Sequence, residues 1–167
     1  MTTTRGYPHT VVNEGIGGIK SAGGLANLPD VINRYPGSDY YLIQYGTNDS
    51  LGPLPVPSGQ GLNPGDARYP GSFKDNMQRI IDTVLSAGKA PYVAKVPFTL
   101  SGTTRNNLIR QYNVVIDELV LKNGIEVVPP DFFSYFEANP SELTDTVHPN
   151  GQGYQAMANL WHNALTQ

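Results

Sequence analysis

Residues 72–97, SFKDNMQRIIDTVLSAGKAPYVAKVP, predict one amphipathic helix that leads directly into one strand. The helix is predicted because apolar residues recur every three or four positions, with Gly71 or Ser72 at its start and Gly88 just past its end. After that glycine, residues 90–97 form a short, largely apolar run that is typical of a strand. The apolar positions of the helix are Phe73, Met77, Ile80, Ile81, Val84 and Leu85.

The alternation of helix and strand continues on both sides of this stretch. Regular apolar spacing predicts the helices, and short β-branched or aromatic runs predict the strands. Such alternation is typical of an α/β fold with parallel strands, right-handed crossovers, helices on both faces and a site at the carboxyl ends of the strands. The predicted strands are residues 10–12, 40–45, 90–97 and 125–128, and the predicted helices are residues 24–34, 73–85, 108–119 and 151–165.

One connection, residues 50–71, is unusually long and is rich in proline and glycine. A loop of this length inside a compact domain is usually functional, so we interpret it as a wall of the site. The alternative is a linker between two domains. That alternative leaves only about 50 residues before the linker to form a core alone, which is marginal. The wall is therefore the preferred interpretation.

The composition is that of one soluble globular domain spanning residues 1–167, with 39% hydrophobic and 15% charged residues. A net charge of -3, with only 11 basic residues, argues against nucleic acid as a partner, because phosphate binding needs a basic surface. No apolar run is long enough to span a membrane, and residues 1–5 lack the apolar core of a signal peptide. The absence of cysteine fits either redox compartment, so localisation stays open.

Asp145 and His148 are the strongest candidates for catalytic residues. An imidazole accepts a proton from a hydroxyl at neutral pH, and a carboxylate on its other nitrogen fixes the tautomer. Pro149 stops any helix from running through His148, and Asn150 or Gly151 begins a new one. The alternative is that Asp145 merely caps a turn and His148 bonds the backbone.

Three motifs together resemble the SGNH (GDSL-like) esterases and lipases. Residues 13–18, NEGIGG, resemble the second family block with Gly18 as its oxyanion-hole glycine; residues 46–49, GTND, resemble the third with Asn48 as the oxyanion amide. Asp145 and His148 resemble the last block, D-x-x-H. The resemblance covers nearly the whole chain. It implies a three-layer flavodoxin-like fold with a mostly parallel sheet, and hydrolysis of a carboxylic ester through a Ser-His-Asp mechanism.

The family's first block, Gly-Asp-Ser with the nucleophilic serine, has no counterpart in this sequence. The resemblance therefore implies a nucleophile upstream of residue 1 and a domain that is incomplete at its N-terminus. It also implies that the family's first strand is missing from this chain. In the family's sheet, that strand lies between the two strands that correspond to residues 10–12 and 40–45. The unpaired backbone N–H and C=O groups at a strand edge tend to bond to another strand. We therefore expect an upstream segment or a second copy of the chain to complete the sheet.

Other residues are less suited to chemistry. Ser21 and Ser50 are predicted to have loop roles rather than to act as nucleophiles, and residues 2–4, all threonine, are interpreted as part of a loop. No zinc-like spacing of histidine or cysteine accompanies Glu14, Asp49 or Asp131, so we expect neither a metal nor a cofactor. His9 and His162 are interpreted as packing or surface residues.

The expected partner is a small-molecule, lipid or sugar ester whose acyl length the sequence does not specify. The alternative to an ester hydrolase is a catalytically silent fragment or a binding module that keeps the pocket without the nucleophile.

Overall fold

The computed structural model describes residues 10–166, so the interpretations of residues 1–5 and of His9 lie outside the described part of the chain. Within that part, helices predominate and two short strands form a sheet. None of the helices in this part is long and apolar enough to cross a membrane. The elements in chain order are α1 (Ser21–Arg34), β1 (Tyr40–Ile43), α2 (Phe73–Ser86), β2 (Ala90–Val93), α3 (Thr103–Lys122), α4 (Phe132–Ala138), a 3-10 turn (Pro140–Glu142) and α5 (Gly151–Leu165).

The two strands are parallel and in register, with Tyr40 opposite Ala90 and Ile43 opposite Val93. This pairing confirms the parallel β-α-β arrangement that the alternation predicts. The N–H of Ala90 donates to the carbonyl of Asp39 at 2.9 Å, and the N–H of Ala94 donates to the carbonyl of Ile43 at 3.0 Å. Because hydrogen bonding alternates along a parallel strand, residues 39, 41 and 43 face β2.

Helix α2 lies at the centre of the main core, as its apolar spacing predicts. The Ser72 hydroxyl accepts the N–H of Asp75 at 3.2 Å and so caps the helix, and Gly88 takes the positive φ of 71° that ends it. The ring of Phe73 stacks on Tyr112 of α3 with centroids 4.3 Å apart. Fully burying one such side chain stabilises the fold by about 1.5 to 3 kcal/mol.

A second cluster holds α5 against the rest of the fold. Asn150 caps α5 as predicted, because its Oδ1 accepts the N–H groups of Gln152 at 2.9 Å and Gly153 at 3.1 Å. Helix α4, which the periodicity did not predict, supplies the surface on which α5 packs. It has only 7 residues, too few to show a helical repeat. The cluster consists of Ala94, Phe132, Phe136 and Leu143, with Met157, Leu160 and Trp161 packed against it.

Two of the predicted strands are wrong. Residues 10–12 form no strand, with Val11 69% and Val12 46% exposed, and residues 125–128 form none, with Val128 71% exposed. A β-branched run becomes a strand only beside a partner strand, and neither segment has one in residues 10–166.

The other two predicted strands are shorter than expected. Strand β1 covers residues 40–43 rather than 40–45, and β2 covers residues 90–93 rather than 90–97. Beyond β2, the backbone bonds to non-strand groups. The N–H of Lys95 donates to the carbonyl of Pro130 at 3.0 Å, and the N–H of Val96 donates to Asn113 Oδ1 at 2.7 Å.

The open edge of β1 provides a testable prediction. Since residues 39, 41 and 43 face β2, the N–H groups of Tyr40 and Leu42 point to the side where residues 10–166 supply no strand. We expect these two amides to exchange with solvent faster than those of Tyr41 and Ile43 in a monomer. Hydrogen exchange combined with light-scattering mass tests this; protection of all four amides in a monomer would show that the edge closes without a partner.

Candidate active site

The loop that carries Asp145 and His148 is closed at its base by backbone hydrogen bonds. Leu143 and Pro149 form an antiparallel bridge, and the N–H of Thr144 donates to the carbonyl of His148 at 2.7 Å. A further bond, from the N–H of Leu100 to the carbonyl of Thr146 at 2.8 Å, ties the loop to the segment that follows β2. The loop is therefore attached to the segment that follows the carboxyl end of β2, and the α/β pattern predicts a site at that end of the strands.

One carboxylate both shapes this loop and contacts the imidazole. Asp145 Oδ1 accepts the N–H groups of Val147 and His148, each at 2.8 Å, while Oδ2 lies 2.8 Å from His148 Nδ1. The turn-capping and imidazole-orienting interpretations of Asp145 therefore describe the same geometry. The N–H of Val147, then the His148 ring and the N–H of His148, lower the pKa of Asp145 to about 2.

The lowered pKa keeps the Asp145 carboxylate charged at neutral pH. A carboxyl whose folded pKa lies below its unfolded value contributes stability above the unfolded pKa, about 3.9, and loses it as the pH falls through about 2. At neutral pH the carboxylate is ionised. Nδ1 of a neutral His148 therefore carries the proton and donates a hydrogen bond to Oδ2. Nε2, which has no hydrogen-bond partner among residues 10–166, keeps its lone pair.

The two candidate oxyanion donors lie on separate loops. Gly18 is exposed and has a φ of 77°, in the left-handed region that favours glycine. Asn48 is half-buried in a tight turn in which the N–H of Ser50 donates to the carbonyl of Gly46 at 3.0 Å. The carboxamide of Asn48 bonds to no group in the described residues, so its donors are free. No hydrogen bond joins Gly18 or Asn48 to Asp145 or His148.

Asp49, next to Asn48, binds the start of α1. Its carboxylate is fully buried and accepts the N–H of Ser21 at 3.1 Å on each oxygen and the Ser21 hydroxyl on Oδ1. Asn76 of α2 donates to the same hydroxyl at 3.0 Å. Sequence reasoning missed the cluster itself, because its members are 28 and 55 residues apart.

A sequence model of the GDSL-like lipase/acylhydrolase family matches residues 2–156. The chain belongs to this family. Membership supports esterase activity and confirms the resemblance drawn from its motifs. A comparison with curated protein sequences found no match.

Solved structures place this acylhydrolase in the same fold as several esterases. The acetyl xylan esterase AlAXEase matches with a TM-score of 0.75 at 18% identity, covering 98% of this chain and 86% of that chain. A catalytic mutant of the acetylxylan esterase Axe2 from Geobacillus stearothermophilus matches with a TM-score of 0.72 at 20% identity, covering 94% of this chain and 72% of that chain. LAE5, an alpha/beta hydrolase enzyme from the metagenome of Lake Arreo, Spain, matches with a TM-score of 0.70 at 18% identity, covering 94% of this chain and 72% of that chain. These likenesses confirm the α/β fold class.

Of the two serines predicted to have loop roles in the acylhydrolase, Ser50 lies in a turn as predicted, whereas Ser21 is the first residue of α1. Ser21 is fully buried against Asp49, and Ser50 is 3% exposed and donates its hydroxyl to the carbonyl of Thr47 at 2.7 Å. Within residues 10–166, no serine hydroxyl bonds to His148, and no group of three or more histidine, aspartate or glutamate residues is arranged to hold a metal.

The proline-rich loop, residues 50–71, starts at the candidate site and then packs on α2 and α3. The N–H of Val56 donates to the carbonyl of Asp49 at 2.9 Å, and the Tyr112 hydroxyl donates to the carbonyl of Val56 at 2.5 Å. A cavity of about 270 Å³ lies between this loop and α3. That the loop forms a wall of the catalytic site stays a prediction. The cavity is lined by Pro57, Ser58, Gly59, Gln60, Leu62, Arg68, Leu108 and Gln111.

Gly153 allows α5 to approach the Asp145–His148 loop. A Cβ at this position would lie 2.8 Å from the carbonyl oxygen of Glu142 and 2.9 Å from Pro149 Cβ, both too close. We expect Gly153→Ala to lower the free energy of unfolding by about 1 to 3 kcal/mol, because backbone must shift. Thermal or urea unfolding measures this. Gly151→Ala is the matched control, since a Cβ there meets nothing within 4 Å; equal stability of the two variants would contradict the packing argument.

Proposed function

We propose that this acylhydrolase cleaves carboxylic esters with His148 as general base and acid, Asp145 as the residue that orients it, and Gly18 and Asn48 as oxyanion donors. The observation that carries the proposal is the contact of Asp145 with both the loop backbone and His148 Nδ1. This contact leaves Nε2 as the basic nitrogen. Nε2 is exposed to the medium, as the His148 side chain is 68% accessible.

The reaction follows from these roles. His148 Nε2 takes the proton from a serine hydroxyl as the serine oxygen bonds to the ester carbonyl carbon. The carbonyl oxygen becomes an anion that accepts hydrogen bonds from the Gly18 N–H and the Asn48 amide. The imidazolium then gives its proton to the departing alcohol, and the acyl group stays on the serine. Water attacks the acyl-serine with the same base, which releases the acid and restores the serine.

The serine of this mechanism is proposed to lie outside residues 10–166, because no serine in that range bonds to His148. The substrate is proposed to be an ester of a bulky alcohol, since Asp145 and His148 are both more than half exposed. Acetylated sugars are the first esters to test, because AlAXEase and Axe2 are acetyl xylan esterases.

The state of the imidazole can be tested without the nucleophile. In a chain labelled with ¹⁵N, long-range proton–nitrogen spectra at a pH where His148 is neutral should show the proton on Nδ1. In Asp145→Asn that preference should weaken, because the amide group can donate to Nδ1. A neutral ring with its proton on Nε2 in the parent protein would contradict the general-base assignment.

A binding module that keeps the pocket but does not hydrolyse esters is the second candidate function. It is favoured by the lack of any serine hydroxyl bonded to His148 in the described range. Electrospray mass after treatment with a fluorophosphonate decides whether residues 1–167 alone carry a nucleophilic serine. A stoichiometric adduct on a serine of residues 1–167 that disappears in His148→Ala rules out the silent module. No adduct rules out serine catalysis by this chain alone.

A further inference from the structure

Ser21, Asp49 and Asn76 form a buried polar cluster that connects three elements. Ser21 and Asp49 are fully buried, and Asn76 is 3% exposed. The Asp49 carboxylate accepts three hydrogen bonds from Ser21, and the Ser21 hydroxyl accepts one from Asn76. Buried polar groups bonded in this way hold their elements in one arrangement, because breaking the cluster leaves a buried carboxylate or amide without a partner.

The cluster also joins the loops of the two candidate oxyanion donors. Asn48 immediately precedes Asp49, and Gly18 lies three residues before Ser21. On the Asn48 side, the tight turn leaves little freedom, since the N–H of Ser50 bonds to the carbonyl of Gly46. On the Gly18 side, the N–H of Ile19 donates to the carbonyl of Ile16 at 3.3 Å. The bonds between Ser21 and Asp49 therefore link the loops that carry the two donors.

We infer that Asp49 is a positioning residue for ester hydrolysis: it fixes the spacing between Gly18 and Asn48. This inference rests on the proposed function. A donor that stabilises an oxyanion must be in place before charge develops, and a displacement of about 1 Å can lower the rate about 100-fold. Asp49 touches neither the substrate nor the reacting atoms in this role; it acts through its neighbours.

Asp49 also serves as a remote cap for α1. The residue before the helix, Lys20, makes no side-chain cap, so the first N–H of the helix, that of Ser21, bonds to Asp49 instead. A carboxylate is favoured there because the helix N-terminus carries partial positive charge. Asparagine has nearly the same shape but only one acceptor oxygen, so it loses either the Ser21 N–H contact on Oδ2 or the contacts on Oδ1.

The test compares Asp49→Asn and Ser21→Ala in the active polypeptide that contains the serine nucleophile. At a temperature where each variant is folded, we expect kcat to fall at least about tenfold, with KM changed less than about twofold. The double variant should be no slower than the slower single variant, because both changes break the same link. Ser21→Ala removes only the hydroxyl bonds and keeps the test available if Asp49→Asn does not fold.

Asp131→Asn is a matched control. At the start of α4, Asp131 accepts the N–H and the hydroxyl of Ser134, each at 2.9 Å, just as Asp49 accepts those of Ser21. The Asp131→Asn variant should unfold at a lower temperature than the parent but have the same kcat. Equal kcat in Asp49→Asn, Asp131→Asn and the parent would reduce Asp49 to a structural cap and overturn the inference.

Asn48→Ala separates this inference from the proposed function. If Asn48→Ala slows turnover while Asp49→Asn and Ser21→Ala do not, the oxyanion assignment stands and the positioning role is wrong. If Asn48→Ala leaves kcat unchanged, the oxyanion assignment fails, and the positioning role fails with it.

Discussion

Asp145→Asn is expected to lower kcat for ester hydrolysis by about 10⁴-fold in the active polypeptide, the loss seen when the orienting carboxylate of such a triad becomes an amide. The asparagine oxygen can still accept the N–H groups of Val147 and His148, so the loop should keep its shape. Its amide nitrogen, however, donates toward His148 Nδ1 and favours the tautomer in which Nε2 carries the proton. That tautomer cannot take a proton from serine.

Asp66→Asn is the matched control for this variant. Asp66 Oδ2 accepts the N–H of Asn63, three residues away, at 2.7 Å in an exposed turn, so the substitution changes a turn carboxylate without an imidazole beside it. We expect its kcat to equal that of the parent. Near-normal turnover of a folded Asp145→Asn variant at neutral pH would remove Asp145 from the mechanism.

The pH profile gives an independent check of the Asp145 assignment. Because the pKa of Asp145 is lowered to about 2, this carboxylate stays ionised from about pH 4 upward. Loss of activity between pH 4 and 8 therefore reports another group, and Asp145→Asn should lower the whole profile without removing its acidic limb. A limb that disappears in the variant would show that Asp145 titrates within the measured range.

Local signals predicted the helices that form the core. Helices α2 and α5 begin and end close to the predicted positions because Ser72, Gly88 and Asn150 act through bonds or backbone angles within a few residues. Residues 10–12 and 125–128 were predicted wrongly as strands, because a strand depends on a neighbour distant in sequence. Helix α4 was missed because it is too short for its periodicity to be read.

The same distinction applies to the candidate site. Asp145 and His148 are three residues apart, so a tight turn alone brings them together and their spacing predicts the contact. Asp49 and Ser21 are 28 residues apart, and no spacing in the sequence indicates that one caps the helix that begins at the other. Asn76, which donates to the Ser21 hydroxyl, was visible only as a polar residue within the apolar pattern of α2, a weak signal of buried hydrogen bonding.

Asn48→Ala is expected to lower kcat by about 10²- to 10³-fold, equivalent to about 2.7 to 4 kcal/mol of transition-state stabilisation. The amide of Asn48 has no hydrogen-bond partner in the part of the chain that is described, so its removal breaks no bond of the fold there. In the proposed mechanism, its donor bonds to charge that appears only during acyl transfer. Stability and KM should therefore change little, because neither the folded protein nor the ground-state complex uses that hydrogen bond.

Steady-state kinetics over a range of ester concentrations, together with thermal unfolding, test this expectation. Asn33→Ala is the control: Asn33 is an exposed residue of α1, and its replacement should leave kcat, KM and unfolding unchanged. A raised KM with intact kcat in Asn48→Ala would make Asn48 a substrate-binding residue, since it would show an interaction equal in the ground and transition states. A fall in kcat alone would indicate that the amide acts on the developing oxyanion. We expect this result because the Asn48 amide has no hydrogen-bond partner in residues 10–166 and lies next to the buried Asp49.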